Sequence, residues 1–168
     1  SGMNARFVLG NCDTDHDGIR EECVCAGLEP ASRSTSFEVK DKRFFVCHGD
    51  DCTHYREAVT SGNYDYLIVG HTHEFAASHK GSTLVINPGA VTRDKHTDVI
   101  QTIAILDVDT GHVERVILTA DDDSAADTGS KCYHNNVFTA FCCTLPHLSE
   151  SCNVGIISGF DLKTCQIS

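Results

Sequence analysis

Short apolar runs recur along the chain, and most of them end close to a glycine or a proline. Arg6-Phe7-Val8-Leu9 predicts a strand that stops at Gly10. A helix is expected from about Gly18 to Ala26, ending near Gly27. Ser36 to Val39 alternates polar and apolar, turns at Asp41-Lys42 and returns as the apolar strand Arg43 to Cys47. Thr53 to Ser61 has helical periodicity, with Thr53 placed as the N-cap and Gly62 as the stop. Tyr66 to Val69 carries no charge, so a buried central strand is predicted there. Thr83 to Ile86 is another strand, closed by Asn87-Pro88-Gly89-Ala90. Ile100 to Val108 and His112 to Leu118 alternate with period two across Asp109-Thr110-Gly111, which predicts a hairpin. Beyond Leu118 the pattern fades. Residues 120–130 read as an acidic linker, and 131–168 as a poorly structured extension with five cysteines and only a faint strand signal at Val154 to Ile157.

Composition narrows the function classes. A length of 168 residues with 40% apolar content suits one domain with a real core, here residues 1–119. The net charge of −11, with no basic stripe, argues against a duplex nucleic acid partner. No stretch has transmembrane length and no leader pattern stands at the N-terminus, so a cytoplasmic protein without a membrane partner is expected. The ten cysteines lie partly inside apolar runs, as in Val46-Cys47-His48 and Phe141-Cys142-Cys143, and read as reduced thiols. Asp13-Thr14-Asp15-His16-Asp17-Gly18 imitates a calcium loop, but Arg20 stands where an aliphatic anchor belongs and Val24 where the bidentate acid belongs. Acids ahead of a helix N-terminus explain the cluster more cheaply. In the extension, Cys132, His134, Cys142, Cys143, His147, Cys152 and Cys165 show no Cys-x-x-Cys knuckle, so no zinc site is expected there.

The chemistry gathers at strand ends. Asn11 follows the first strand, His48 ends the second apolar strand, and His71 and His73 follow the central one through Gly70. Strand ends on one edge of an α/β sheet converge on a crevice. Three imidazoles and an amide oxygen suit Mn, Fe, Ni, Co or Zn better than Ca or Mg. An open site of mixed nitrogen and oxygen donors fits hydrolysis, where a cation acidifies water and neutralises an anionic substrate.

Gly10-Asn11-Cys12-Asp13, His48-Gly49-Asp50, Gly70-His71-Thr72-His73-Glu74 and Asn87-Pro88-Gly89-Ala90, in this order, resemble the motifs of the calcineurin-like metallophosphoesterases. The likeness covers Ala5 to Leu118, and is greatest to the small bacterial and archaeal phosphodiesterases related to the retromer subunit Vps29. It implies an α/β (α+β) fold, a β-sandwich flanked by helices, here lacking its first strands. It also implies a divalent-metal phosphodiesterase, manganese being the expected ion, which hydrolyses phosphodiesters or small phosphomonoesters through a metal-bound hydroxide. By resemblance, Asn11, His48 and His71 ligate one metal and His73 the other. Cys12 stands where a histidine often assists the leaving group, and Asp13 orients. The family's opening Asp-x-His and Gly-Asp motifs have no counterpart, so the dinuclear centre is expected to be incomplete unless another chain, a second copy included, or a further carboxylate supplies the rest. Asp50 replaces a common second histidine and is left open as acceptor, weak ligand or solvated acid. The alternative is a non-catalytic Vps29-like interaction module or an inactive truncated phosphoesterase.

Overall fold

The computed structural model describes residues 5–91 and 100–118 in full, and the backbone of Asn4 and of two further strands, 137–143 and 153–158. The element order is β1 (Asn4–Val8), α1 (His16–Cys25), β2 (Ser34–Val39), β3 (Lys42–Cys47), α2 (Cys52–Ser61), β4 (Tyr66–Ile68), β5 (Phe75–Lys80), β6 (Thr83–Pro88), β7 (Thr102–Asp107), β8 (Val113–Ile117), β9 (Val137–Cys143) and β10 (Asn153–Ser158). The linker 120–130 and the proposed zinc donors of the extension lie outside the residues whose side chains are described.

These strands form two five-stranded sheets, ordered β1-β10-β9-β7-β8 and β2-β3-β4-β6-β5. In the second sheet β3, β4 and β6 run parallel, with β2 and β5 antiparallel at its edges. Period-two alternation decides what each face buries. Phe44 and Val46, Tyr66 and Ile68, Leu84 and Ile86 turn inward to meet Val8, Ala104, Leu106 and Val108 from the other sheet. The residues between them, Phe45 and Cys47, Leu67 and Val69, and Val85, face α2 through Ala58, Tyr55 and Val59. Leu9 and Ala31 instead pack on Ile19 and Cys23 of α1. The result is a helix-flanked sandwich.

Local chemistry explains the helix starts. Asp15 Oδ1 accepts from Gly18 N at 3.0 Å, so the acid-rich stretch caps α1. A Cβ at position 18 would sit 2.3 Å from Asp15 Oδ2, which accounts for that glycine. The N-cap of α2 is Asp51, whose Oδ1 accepts from Thr53 N at 2.8 Å, rather than Thr53 itself. The helix stops where expected, at Gly62 with φ +63°.

Three further departures from the sequence pattern are seen. The β2–β3 turn is Lys40-Asp41, one residue earlier than expected, with both residues at positive φ (50° and 62°), the backbone of a tight two-residue hairpin. Lys40 reaches Asp109 at 2.9 Å, which ties this turn to the β7–β8 loop. Strand β5 was not foreseen. Two stretches of the segment read as an extension are strands, β9 unforeseen and β10 at the faint signal, and both lie between β1 and β7.

Candidate metal centre at the strand ends

Four loops meet at one end of the parallel strands. Gly70 N donates to His48 O at 2.9 Å, which links the loop after β3 to the loop after β4. Asn87, buried at the end of β6, donates through Nδ2 to Gly70 O at 2.7 Å and to Thr72 Oγ1 at 3.0 Å. Its Oδ1 accepts from Gly89 N at 3.0 Å, so one amide fixes the turn on both sides. Gly89 has φ +81°, and a Cβ there would stand 1.9 Å from Thr102 Oγ1. The loop after β1 is closed by Asp13, whose buried carboxylate accepts from Gly10 N at 2.5 Å.

These bonds hold His71 and His73 in the left-handed region, at φ 68° and 60°. Histidine is one of the side chains that visits this region more than most, yet each such residue still costs about 1–2 kcal/mol. The cost is offset by the Asn87 bonds and the Gly70–His48 link, and it turns His71 toward Asn11.

Asn11 Oδ1 is the shared atom. It lies 2.9 Å from His48 Nε2 and 3.3 Å from His71 Nδ1. The two imidazoles meet edge-on, with centroids 5.3 Å apart and planes at 77°. Donors bonded to one cation at about 2.1 Å lie about 3.0 Å apart at octahedral angles and about 3.4 Å apart at tetrahedral ones. The two measured separations lie within about 0.1 Å of these values, so Asn11 Oδ1 is spaced from each ring nitrogen as two donors to one borderline divalent ion would be. Among the described residues, no group of three or more His, Cys, Asp or Glu side chains gathers to hold a metal.

His48 is 1% exposed, and burial pushes its pKa down to about 4, with the charges of His71, His73 and Arg33 adding to the effect and Asp50 opposing it. The ring is therefore neutral at ordinary pH and keeps a lone pair to give. Its Nδ1 is buried without a hydrogen-bond partner. An unfolded chain protonates this histidine near 6.5, whereas the folded chain refuses the proton until about 4. Between those values the unfolded state binds more protons. The metal-free chain is thus expected to keep this contribution in full above pH 6.5 and to lose up to about 3 kcal/mol as pH falls toward 4. Urea unfolding at pH 7.5, 5.5 and 4.5 measures it, and His48→Asn should flatten the difference.

Of the side chains singled out by the sequence, Asn11, His48 and His71 come together. Cys12 and Asp13 belong to the same loop; Cys12 is exposed and accepts weakly from Asn11 Nδ2 at 3.4 Å. His73 sits two residues past His71 and is near enough for its charge to act on His48. Asp50 accepts an ion pair from Arg33 Nη2 at 2.9 Å. By resemblance, the Asn-Pro-Gly motif made Asn87 part of the tight turn that closes the site from behind, and Asn87 shapes that turn here. Arg33 was missed as a shaper of the site, since it lies in a loop with no motif.

A model of the calcineurin-like phosphoesterase superfamily domain matches residues 3–111. Phosphodiesterase MJ0936 of Methanocaldococcus jannaschii is 37% identical over 83 residues, which are 49% of this chain and 49% of that protein. The chain thus spans about half the length of the curated relative it matches. A solved structure of a novel archaeal phosphodiesterase superimposes with a TM-score of 0.60 at 31% identity, covering 66% of this chain and 67% of the other. A lower likeness, TM-score 0.39 at 17% identity over 52% of this chain and 61% of the other, is found to zinc-complexed Vps29 of Entamoeba histolytica.

Proposed function

From the premise that this chain belongs to the calcineurin-like phosphoesterase superfamily, we propose that it is a metal-dependent phosphoesterase acting on phosphodiesters or small phosphomonoesters. The observation that carries this is Asn11 Oδ1 standing within 2.9 and 3.3 Å of two ring nitrogens at the strand ends. Asn11, His48 and His71 would hold one divalent ion, with manganese first and nickel, iron, cobalt or zinc as alternatives. A cation there supplies Lewis acidity, lowering the pKa of water and offsetting the charge of a phosphate ester. His73 is the donor left for a second ion.

The chain's own side chains do the rest. Burial keeps His48 uncharged, so a shift of the Nε2 proton, which faces Asn11 Oδ1, to the unpartnered Nδ1 would free the Nε2 lone pair without a change of net charge. Asp13 and Asn87 fix the loops that carry Asn11 and His71, which keeps the donors oriented without reorganisation. Cys12, exposed beside Asn11, stands where family members often have a histidine that assists the leaving group. Three protein donors leave coordination positions free for substrate, and a bridging carboxylate would come from another chain or from a carboxylate other than those singled out above. No helix among the described residues is long and apolar enough to cross a membrane.

The test is hydrolysis of bis-p-nitrophenyl phosphate by the purified chain with manganese or nickel, followed by chelation. Turnover that rises with metal and stops with chelator is expected. Turnover indifferent to metal, or none with any divalent ion, would sink the hydrolase reading. Metal bound one to one without turnover would point instead to an interaction module of the Vps29 kind.

A further inference from the structure

One cationic side chain lies between the two loops that supply the donors, and no motif announces it. Arg33 Nη1 donates to Gly10 O at 3.0 Å, and Nη2 donates to Asp50 Oδ2 at 2.9 Å. Gly10 immediately precedes Asn11, and Asp50 follows His48 by two residues. The guanidinium therefore spans the gap across which Asn11 Oδ1 and His48 Nε2 face each other at 2.9 Å.

The root of this arginine is fixed. Ser32 bridges Val8 in parallel, with Leu9 N donating to Ser32 O at 2.7 Å, and Ser32 Oγ donates to Ser34 O at 2.6 Å. Arg20 Nε on α1 donates to Ala31 O at 3.2 Å. Residues 31–34 are thus sewn to β1 on one side and open β2 on the other, so Arg33 leaves the backbone at the seam between the two sheets. A planar fork with its donors set apart can engage a carbonyl and a carboxylate at once, which an ammonium on a flexible stem does poorly.

We infer that Arg33, through Gly10 and Asp50, is a positioning residue that sets the separation of Asn11 and His48 and thereby the affinity of the site for a divalent ion. The inference rests on the metal-site reading above. It gives Asp50 the role of acceptor for Arg33 rather than that of a solvated acid. Neither residue has to touch the ion. Outer partners that orient ligands commonly change metal affinity by about 10–100-fold when removed.

Cobalt(II) provides the readout independently of turnover, because its visible absorption reports both occupancy and the ligand field. The full chain and the variants Arg33→Ala, Arg33→Lys, Asp50→Asn and Arg33→Ala/Asp50→Asn are titrated with cobalt, and thermal midpoints are taken in parallel. The expected result is a 10–100-fold weaker cobalt affinity and a changed spectrum in each single alanine or asparagine variant. The double variant should be no weaker than the worse single one, and Arg33→Lys should recover part of the loss, all with midpoints near that of the unaltered chain. An Arg33→Ala chain with unaltered affinity and spectrum overturns the inference. So does a loss confined to Asp50→Asn, which would make Asp50 a ligand in its own right. Should Arg33→Ala fail to fold, Asp50→Asn and Arg33→Lys decide the matter, and unaltered affinity in both overturns it. An unaltered chain that binds no cobalt at all refutes the metal reading, and the inference with it, whereas a wild-type spectrum that Arg33→Ala leaves in place refutes the inference alone.

Discussion

His71→Ala is expected to cut metal-stimulated turnover of bis-p-nitrophenyl phosphate by about 100-fold or more while leaving the fold in place. Loss of an outer partner of a ligand already costs about 10–100-fold, so removal of a donor should cost at least the upper end of that range. His71 is exposed, and Asn87 and Gly70 hold its loop through backbone atoms and Thr72 rather than through the imidazole. The stability change should therefore stay within about 1 kcal/mol. Alanine inherits the φ of 68° and pays for it, which makes His71→Asn the better control, since asparagine accepts left-handed backbone. An asparagine chain with intact melting behaviour and strongly reduced turnover isolates the imidazole. Turnover unchanged in both variants would exclude His71 from the chemistry.

Phe44→Ala should be the costliest single change to stability, about 3–5 kcal/mol in urea unfolding. Phe44 is 1% exposed, and its ring stacks on Phe37 at 4.9 Å and on Tyr66 at 4.8 Å. Tyr66 in turn donates its hydroxyl to Val108 O at 3.1 Å, which joins this stack to the opposite sheet. Removing the ring leaves a cavity between elements that cannot close on each other without shifting β3, four residues before His48. Val24→Ala on α1 is the matched control: that side chain is 57% exposed, and its loss should cost no more than about 0.5 kcal/mol. A Phe44→Ala cost below about 1 kcal/mol would mean that the two sheets do not share this core.

Two of the legible strands are buried on both faces. Phe44 to Cys47 and Tyr66 to Val69 serve the sandwich with one set of positions and α2 with the other, so no polar residue interrupts them. Strand β5 was opaque for the converse reason: Ala76 to Lys80 are exposed, so Phe-Ala-Ala-Ser-His-Lys carries no buried stripe, and only pairing with β6 makes it a strand. The Lys40-Asp41 turn carries neither glycine nor asparagine, and is held instead by an ion pair to a loop 69 positions away. Asp51 hid as a cap because Thr53, two residues on, is itself a good cap former. At the site, the donors could be listed from motifs, but their meeting around Asn11 Oδ1 depends on which strands are neighbours. Arg33 shows that limit most clearly: its partners lie 23 and 17 positions away, and local pattern holds no trace of either.

The placement of β10 has a consequence for biosynthesis. Phe7 pairs with Gly155 and Val8 with Val154, so the strand that delivers Asn11 finds its β10 neighbour only after about 150 further residues have been made. Until then its edge amides and carbonyls stand open to any passing strand, and closure over so long a loop is slow. The half-made chain is the vulnerable species, and chaperones that shield extended segments would be needed most in the interval before Ser158 is made.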